Sequence, residues 1–462
     1  MQLGMHLRTP LVHVFALTIL ACSSSVPGGT PDAAVADDAS ADTPDGHVDP
    51  VDGGGIPSTF FGTSAGAPDA GGQYPTVPIG AIGHPGLLPW PTIQPQDGDP
   101  NHAQWAYYDA QVDKAVAHGV PMYISFGWTP RWALAPAEQE TGCVQGSNIC
   151  TLPPDDIANW TSFVSLLATR YAGKVRYYEI WNEANGPGFY TGTVQQLVAL
   201  AQAAYGAIKA ADPSAIVVAP TASGAYAKAT AWLASYFQAG GAQWADACGA
   251  HAYPTYATVP FPFPEKDDDQ NGSILQRLTA FRQTCDAAGL SGKPLVMSEG
   301  SWGPNAYLMN EAERVAWLAR YEILQASAAP TLGLAATYWY AWGPEGTTSD
   351  GGVTGYGSVT APDYTPAPSG IALGQIHEWL VGAAVSPCAP STDGATYSCA
   401  VTRASDPSYR GLLLWKVATT QTSDVAIDAL YTQVRRLDGT TNAAASPFTV
   451  DMTPVLLEGH AQ

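Results

Sequence analysis

Short apolar runs alternate with longer stretches of helical periodicity from residue 59 to residue 381. The short runs have the length and the aromatic or β-branched content of buried strands, and the longer stretches repeat their apolar positions with the helical period. This pattern predicts strands at residues 59–63, 78–83, 122–126, 175–180, 215–219, 245–253, 294–299 and 332–339. It predicts helices at residues 105–118, 155–172, 195–211, 227–239, 274–288, 311–328 and 370–381.

The order of these elements predicts the fold class. Eight strands alternating with helices between residues 58 and 382 are typical of α/β proteins and favour a (β/α)8 TIM barrel. A doubly wound open sheet is the alternative, but it usually needs fewer units and often has a glycine-rich nucleotide-binding loop. We find no such loop between a strand and a helix in this sequence.

The pattern changes over residues 383–462. Short β-type runs follow one another, separated by Gly, Asp, Ser and Pro, at residues 397–403, 410–417, 425–427, 432–437 and 450–457. Such spacing predicts a small antiparallel, sandwich-like β-domain. Because this domain is short, we expect it to pack on the barrel.

The N-terminal residues have the pattern of an export signal. His6 and Arg8 precede an apolar run over residues 11–20, which is too short to span a bilayer as a mature helix. The run ends in Ile19-Leu20-Ala21-Cys22, which resembles the bacterial lipobox and implies cleavage and lipidation at Cys22. We therefore predict a signal peptide at residues 1–22 and an exported lipoprotein at the outer membrane or cell surface. An ordinary signal peptide with an incidental cysteine is the alternative.

Residues 23–57 consist largely of Ser, Pro, Gly, Ala and Asp. Such a segment has almost nothing apolar to bury, so we predict a disordered tether between the lipid anchor and the barrel. The lipid on Cys22 would be the protein's membrane contact.

Composition and charge limit the partners. The chain carries a net charge of −21, which argues against nucleic acid, because phosphate binding requires clustered Lys and Arg. It also contains 14 Trp and 22 Tyr. Aromatic rings suit the flat, partly apolar faces of sugars, although most will belong to the core. The sequence gives no indication of the oligomeric state.

The cysteines predict disulfides, because six remain after Cys22 in a chain that carries an export signal. The short spacings favour the pairs Cys143–Cys150 and Cys388–Cys399, which leaves Cys248–Cys285 as the third. None has the CxxC spacing of a zinc site, and no metal or cofactor is predicted. Residues 267–272 match the first half of a calcium loop, but Leu278 stands where the bidentate Glu is expected, so a solvated acidic loop is favoured.

Two glutamates end predicted strands. Trp181-Asn182-Glu183 closes the fourth strand, and Glu299 ends the seventh. In a barrel, the C-terminal ends of the strands meet in one cleft, so both carboxylates are expected there. Two such acids are what cleavage of a glycosidic bond requires, because one protonates the departing oxygen and the other attacks or stabilises the sugar carbon.

Over residues 58–382 the chain resembles clan A of the retaining glycoside hydrolases. The specific marks are Asn182-Glu183 after the fourth strand and Glu299 at the end of the seventh. The resemblance implies that Glu183 is the general acid/base, Glu299 the nucleophile, and Asn182 the partner of the sugar 2-hydroxyl. The Trp-Asn-Glu-Ala-Asn run and the trailing β-domain look most like family 39 and its relatives.

The resemblance also implies supporting residues. His251 and Tyr253 end the sixth strand, where a Tyr often bonds the nucleophile, so Tyr253 is expected to orient Glu299 and His251 to contact sugar or acid. Trp339 ends the eighth strand, where the clan commonly places an aromatic ring under the sugar. Further candidates for stacking on sugar, each of which could instead belong to the core, are Trp128, Trp302 and Trp342.

These residues predict a retaining O-glycosyl hydrolase that cleaves a poly- or oligosaccharide by double displacement. One alternative is a surface lipoprotein that binds carbohydrate without useful catalysis, and another is an adhesion protein whose barrel is only a scaffold. The sugar, the linkage, and endo or exo action depend on loops such as residues 129–154, 254–272 and 343–368, which the sequence pattern does not resolve.

Overall fold

The structure is a computed structural model that describes residues 55–65, 74–98, 105–253, 263–265, 273–302, 308–344, 346–347, 353–354, 356–418 and 420–461. The predicted signal peptide, Cys22, almost all of the predicted tether and the acidic run at residues 267–272 lie outside this part of the chain. Among the described helices, none combines the length and the apolar character that crossing a membrane would require.

Eight parallel strands form the central sheet. They are β1 (Phe61–Ala65), β2 (Ala81–Pro89), β3 (Met122–Gly127), β4 (Val175–Ile180), β5 (Ile216–Val218), β6 (Cys248–His251), β7 (Leu295–Gly300) and β8 (Leu334–Trp342). Their order across the sheet is β5-β4-β3-β2-β1-β8-β7-β6. A parallel bridge between Val218 and Ala247 brings the two edges together, so the barrel is nearly closed.

Helices follow the strands along the chain. The main ones are α1 (Trp105–Ala117), α2 (Ile157–Arg170), α3 (Val194–Ala211), α4 (Tyr226–Gln238), α5 (Ile274–Ala287), α6 (Glu311–Leu332) and α7 (Pro368–Leu380). Local sequence defines several starts, because reciprocal capping boxes join Thr193 with Gln196, Ser273 with Gln276, and Asn310 with Glu313. The predicted (β/α)8 fold is confirmed.

Side chains fill the interior of the barrel. Alternate positions of the strands contribute a buried cluster made of Ala81, Tyr123, Tyr177, Ile216, Val218, Ala247, Val296, Ala336 and Tyr338. A larger cluster lies between the strands and the helices. Because the interior is packed, the place left for a substrate is the end of the barrel, where the strands finish.

The loops contain short helices, turns and strand pairs. They are helices at Trp90–Ile93 and Pro136–Gly142, 3₁₀ turns at Arg131–Ala133 and Gly241–Trp244, and two strand pairs, Thr129–Pro130 with Ile149–Cys150 and Gly346–Thr347 with Val353–Thr354.

The C-terminal region is antiparallel, as predicted. Its strands are β9 (Ala383–Val385), β10 (Ala389–Pro390), β11 (Thr396–Arg403), β12 (Asp406–Lys416), β13 (Ser423–Val425), β14 (Tyr431–Arg435), β15 (Thr441–Ala443), β16 (Phe448–Val450) and β17 (Val455–His460). The main sheet has the order β9-β11-β12-β17-β14-β15, and β13 pairs with β16. The single strand predicted at residues 450–457 is in fact two, because a turn at Asp451, whose carboxylate accepts from the Thr453 N–H at 2.7 Å, separates them.

A buried polar contact joins this region to the barrel. The guanidinium of Arg320 on α6, which is fully buried, donates to the carbonyls of Met452 (2.9 Å) and Lys416. Its Nε lies 3.7 Å from Glu265, whose Oε1 also accepts from the indole of Trp415 at 2.6 Å. The β-region is therefore anchored to the barrel through α6.

The disulfide pairs in the structure are those favoured by the cysteine spacing: Cys143–Cys150, Cys248–Cys285 and Cys388–Cys399. The second ties the start of β6 to α5, and the other two close short loops. In the unfolded chain these links reduce conformational entropy, which favours the folded state.

A carboxyl group on helix α6 is also buried. Glu322 on α6 is fully buried, and its Oε2 accepts a hydrogen bond of 2.8 Å from the hydroxyl of Thr337 on β8. Burial raises the pKa of Glu322 from 4.5 to about 8. The folded protein therefore keeps this group protonated at neutral pH.

We expect Glu322→Gln to stabilise the protein progressively as pH rises. In the unfolded chain Glu322 ionises above about pH 4.5, whereas the folded chain holds the proton until about pH 8, so each pH unit between these values lowers the free energy of unfolding by about 1.4 kcal/mol. Glutamine removes this dependence. Urea unfolding at pH 5 and pH 8 measures it, with Glu140→Gln on the exposed surface as the control. Parallel pH dependence in the natural chain and the Glu322 variant would contradict the prediction.

Candidate active site

The two predicted acids meet at the C-terminal end of the barrel. Glu183 lies just beyond β4, and Glu299 is near the end of β7. Together with His251 of β6 they form a cluster in which one ligand atom from each residue lies within 4.8 Å of the others. The two carboxylate side chains are 13% and 14% exposed, so solvent or substrate can reach them.

His251 lies between the two carboxylates. Its Nδ1 is 2.9 Å from Glu183 Oε1, and its Nε2 is 3.8 Å from Glu299 Oε2. Burial disfavours the imidazolium, but the charges of Glu299 and Glu183 and the hydrogen bond to Glu183 outweigh burial and raise the pKa of His251 to about 9. The ring is therefore positively charged at neutral pH and holds both acids at the site.

Tyr253, two residues further along, contacts Glu299 directly. Its hydroxyl donates a hydrogen bond to Glu299 Oε1, as the resemblance implied. Burial and the neighbouring Glu183 raise the pKa of Glu299 to about 7, against the opposing effects of His251 and of the Tyr253 hydrogen bond. Glu299 can therefore change its protonation state near neutral pH.

Two further tyrosines lie beside this pair. The charges of Glu299 and Glu183 both act on the pKa of Tyr340 and of Tyr356, which burial already raises. The ring of Tyr356 lies 5.6 Å from that of Tyr340 and 6.2 Å from that of Tyr253. Sequence analysis did not select Tyr340 or Tyr356, so these rings are an addition to the site.

The structure places Trp339 and Trp302, two of the candidates for stacking on sugar, in the core. The indole of Trp339 is buried, donates to the carbonyl of Gly357 at 2.7 Å, and packs on Tyr321 of α6. Trp302 is buried against the same tyrosine and lies 5.8 Å from Trp339. Both rings belong to the layer between strand and helix and are packed against other side chains.

Trp339 faces the helices because of its position within β8. The strand continues to Trp342 instead of ending at Trp339, and successive residues of a strand point to opposite faces. Tyr340, one position later, therefore faces the acids while Trp339 faces the helices. The sequence contained a signal for this in the run Trp339-Tyr340-Ala341-Trp342. Moving the strand register by one residue exchanges the faces on which Trp339 and Tyr340 lie.

Three other predicted residues, Asn182, Trp342 and Trp128, lie near strand ends. Asn182, which directly precedes Glu183 after β4, is buried. Trp342 is also buried. Trp128 is half-buried and parallel to Phe189, with ring centroids 6.0 Å apart, and both follow strands next to each other in the barrel. Contacts of these three residues with sugar stay predictions.

The arrangement can move a proton and supply a nucleophile in the same small space. One carboxylate hydrogen-bonds a tyrosine hydroxyl, the other a charged imidazole, and aromatic rings flank them. Among the described residues, Glu183, His251 and Glu299 are also close enough to ligate a cation together. In the structure these groups are instead engaged with one another.

The family model of cellulase (glycosyl hydrolase family 5) matches residues 88–345, which include β3 to β8 and both acids. None of the curated protein sequences matches the chain significantly. The clan-level resemblance is thus confirmed, although the family that matches is family 5 and not family 39.

Solved structures share the fold at low identity. A family 39 glycoside hydrolase from Bacteroides cellulosilyticus is 17% identical, with 88% of this chain and 81% of that chain covered and a TM-score of 0.65. A family 39 β-xylosidase from Caulobacter crescentus is 16% identical, with 88% and 97% covered and a TM-score of 0.59. A family 44 endoglucanase from Clostridium thermocellum is 15% identical, with 88% and 97% covered and a TM-score of 0.56.

The matched segment covers more than half of the chain and includes both glutamates. This chain therefore belongs to the cellulase family, glycosyl hydrolase family 5, and is a glycosidase.

Proposed function

We propose that the protein is a retaining glycosidase in which Glu299 is the nucleophile and Glu183 the general acid/base. The observation that carries the proposal is the short separation of the two acids, since one oxygen of each lies within 4.8 Å of the other. Retaining pairs are about 5–5.5 Å apart, whereas inverting pairs need about 6.5–9.5 Å to admit a water molecule.

In the first step a Glu299 oxygen attacks the anomeric carbon and forms a bond to it. The glycosidic C–O bond breaks, and the leaving oxygen takes the proton held by Glu183. The Tyr253 hydroxyl donates a hydrogen bond to Glu299 and favours its ionised form, which is the form that attacks.

In the second step Glu183, now a carboxylate, takes a proton from water while the water oxygen attacks the anomeric carbon. The bond to Glu299 breaks, and the sugar leaves with its original configuration. Loss of the Glu299 charge in the intermediate changes the field at Glu183 and His251, so the same carboxyl can act first as an acid and then as a base. Asn182, next to Glu183, is the proposed partner of the 2-hydroxyl.

The proposed substrate class is an oligo- or polysaccharide of glucose or xylose units. The family model is that of cellulases, and the structural neighbours include an endoglucanase and a β-xylosidase. Aromatic side chains beside the acids, Tyr340 and Tyr356, supply apolar faces for a sugar ring. The predicted export signal and the predicted lipidation of Cys22 favour a lipid-anchored enzyme at the cell surface, acting on glycans outside the cell.

The stereochemistry of the first product tests the mechanism. We expect proton NMR during hydrolysis of an aryl β-glucoside or β-xyloside to show the β-anomer first, with the α-anomer appearing only by mutarotation. Initial release of the α-anomer would rule out double displacement. Binding of glucan or xylan oligosaccharides without any turnover, even of activated aryl glycosides, would instead favour the carbohydrate-binding alternative.

A further inference from the structure

We propose that Thr221 and Glu179 are positioning residues for Glu183, and that they act by fixing the backbone from which its carboxyl projects. The inference rests on the acid/base role proposed for Glu183. Thr221 follows β5, and Glu179 lies inside β4, so two neighbouring strands supply the device.

The chain turns sharply where Glu183 leaves β4. Both Trp181 (φ 73°) and Glu183 (φ 45°) lie in the left-handed region, which residues other than glycine seldom adopt. Such a residue is strained and persists only when its surroundings hold it. The carboxyl of Glu183 is therefore presented by a conformation that requires support.

Thr221 provides the support at the backbone. The N–H of Glu183 donates to Thr221 Oγ1 at 3.1 Å, and the N–H of the next residue, Ala184, donates to the Thr221 carbonyl at 3.1 Å. One residue of the β5 loop thus accepts from two consecutive amides of the β4 loop. A second link, between Asn185 and Ser223, has hydrogen bonds of 2.8 and 2.9 Å in both directions.

Glu179 orients the Thr221 hydroxyl so that its oxygen can accept from the Glu183 amide. The Thr221 hydroxyl donates to Glu179 Oε1, which also accepts from the Thr221 N–H at 3.1 Å. The other oxygen of Glu179 accepts from the Tyr123 hydroxyl. Because a hydroxyl has one hydrogen, donation to Glu179 leaves the lone pairs of Thr221 Oγ1 for the Glu183 amide.

Both side chains are buried, with exposed fractions of 0% for Thr221 and 1% for Glu179. Water is therefore a poor substitute for either group, and removing the hydroxyl leaves Glu183 N–H and Glu179 without this partner. A displacement of the Glu183 carboxyl should impair proton transfer, which depends on a short, aligned approach to the leaving oxygen. Attack by Glu299 involves none of these contacts.

Thr221→Val removes the hydroxyl while keeping the methyl group. That methyl packs on Gly249, since a Cβ at Gly249 would lie 2.6 Å from it. We expect kcat/KM for aryl glycosides with poor leaving groups to fall by about tenfold to a hundredfold, because only these need the proton. With dinitrophenyl glycosides the fall should be less than about threefold. Thr221→Ser, which keeps the hydroxyl, should restore the natural dependence on leaving group.

Thr337→Val is the matched control. Thr337, on β8, also donates from a fully buried hydroxyl to a buried glutamate, Glu322, but neither residue contacts Glu183. It should lower the unfolding temperature without changing the dependence on leaving group. If Thr221→Val does not fold, Glu179→Gln serves instead, with the same expected dependence. Two results would overturn the inference. One is a variant whose kcat/KM falls equally for all leaving groups, and the other is a Thr221→Ser enzyme that does not recover the natural dependence on leaving group.

Glu183→Ala, measured with the same substrates, separates this inference from the proposed function. If Glu183→Ala shows the dependence on leaving group and the Thr221 variant does not, only the positioning role fails. If Glu183→Ala itself shows no such dependence, the acid/base assignment fails, and the positioning role with it.

Discussion

Replacing Glu299 with alanine should lower turnover by on the order of 10⁴-fold or more, the largest effect expected of any single substitution in this protein. The substitution removes the oxygen that forms the covalent bond to the sugar, and water cannot occupy the same place with equal reactivity. The KM for intact substrate should change little, since the flanking rings and Asn182 remain. Steady-state kinetics with an aryl glycoside measures both quantities.

Azide provides the control for Glu299→Ala. A small anion can enter the space left by the carboxylate and attack from the same face, so we expect partial recovery of turnover and an α-glycosyl azide from a β-glycoside. Glu322→Ala removes a fully buried carboxyl that lies away from the cluster, and it should affect stability and not chemistry. Activity near that of the natural chain in Glu299→Ala would show that another residue is the nucleophile.

Replacing Glu183 with alanine should lower kcat/KM by about 10²- to 10⁴-fold for substrates with poor leaving groups. Its proton assists departure of the leaving oxygen, and this help matters less as the leaving group becomes more acidic. Dinitrophenyl glycosides should therefore form the covalent intermediate at nearly the natural rate and then accumulate it, because no base activates the water. Rapid-quench kinetics should show a burst of dinitrophenolate followed by slow turnover.

Azide again distinguishes the roles. With Glu183→Ala the anion attacks the intermediate in place of water, so the expected product is a β-glycosyl azide, opposite in configuration to that from Glu299→Ala. The same anomer from both variants would mean that the two glutamates do not have separate roles. A Glu183→Ala enzyme whose activity is equally reduced for all leaving groups would contradict the acid assignment.

Much of the fold followed from local pattern. Strand periodicity, helix caps and the alternation of elements depend on neighbouring residues, so seven of the eight strands and the main helices could be predicted within a few positions. The exception is β2, which continues to Pro89, beyond its predicted end at residue 83. The two glutamates were predictable for a related reason, because the topology of a parallel barrel brings every C-terminal strand end to one face. The contact between Tyr253 and Glu299 was implied by the resemblance to clan A and not by local pattern.

The errors arose where a single residue decides the outcome. The core position of Trp339 could not be predicted, because the end of β8 depends on pairing with β7 and β1, and those strands are distant in sequence. The roles of Glu179 and Thr221 had no local signal, since a buried polar residue within an apolar strand is recognised only when its partner is known.

By itself, then, the sequence determined the order of strands and helices, the two carboxylates and the acidic, aromatic character of the chain, because each depends on residues close together along the backbone. Only the tertiary structure decided which ring faces the acids, that His251 lies between Glu183 and Glu299, and that a hydroxyl on β5's loop holds the amide of Glu183. Such features require distances of a few ångströms between residues that are tens of positions apart, and closure of the barrel creates those distances.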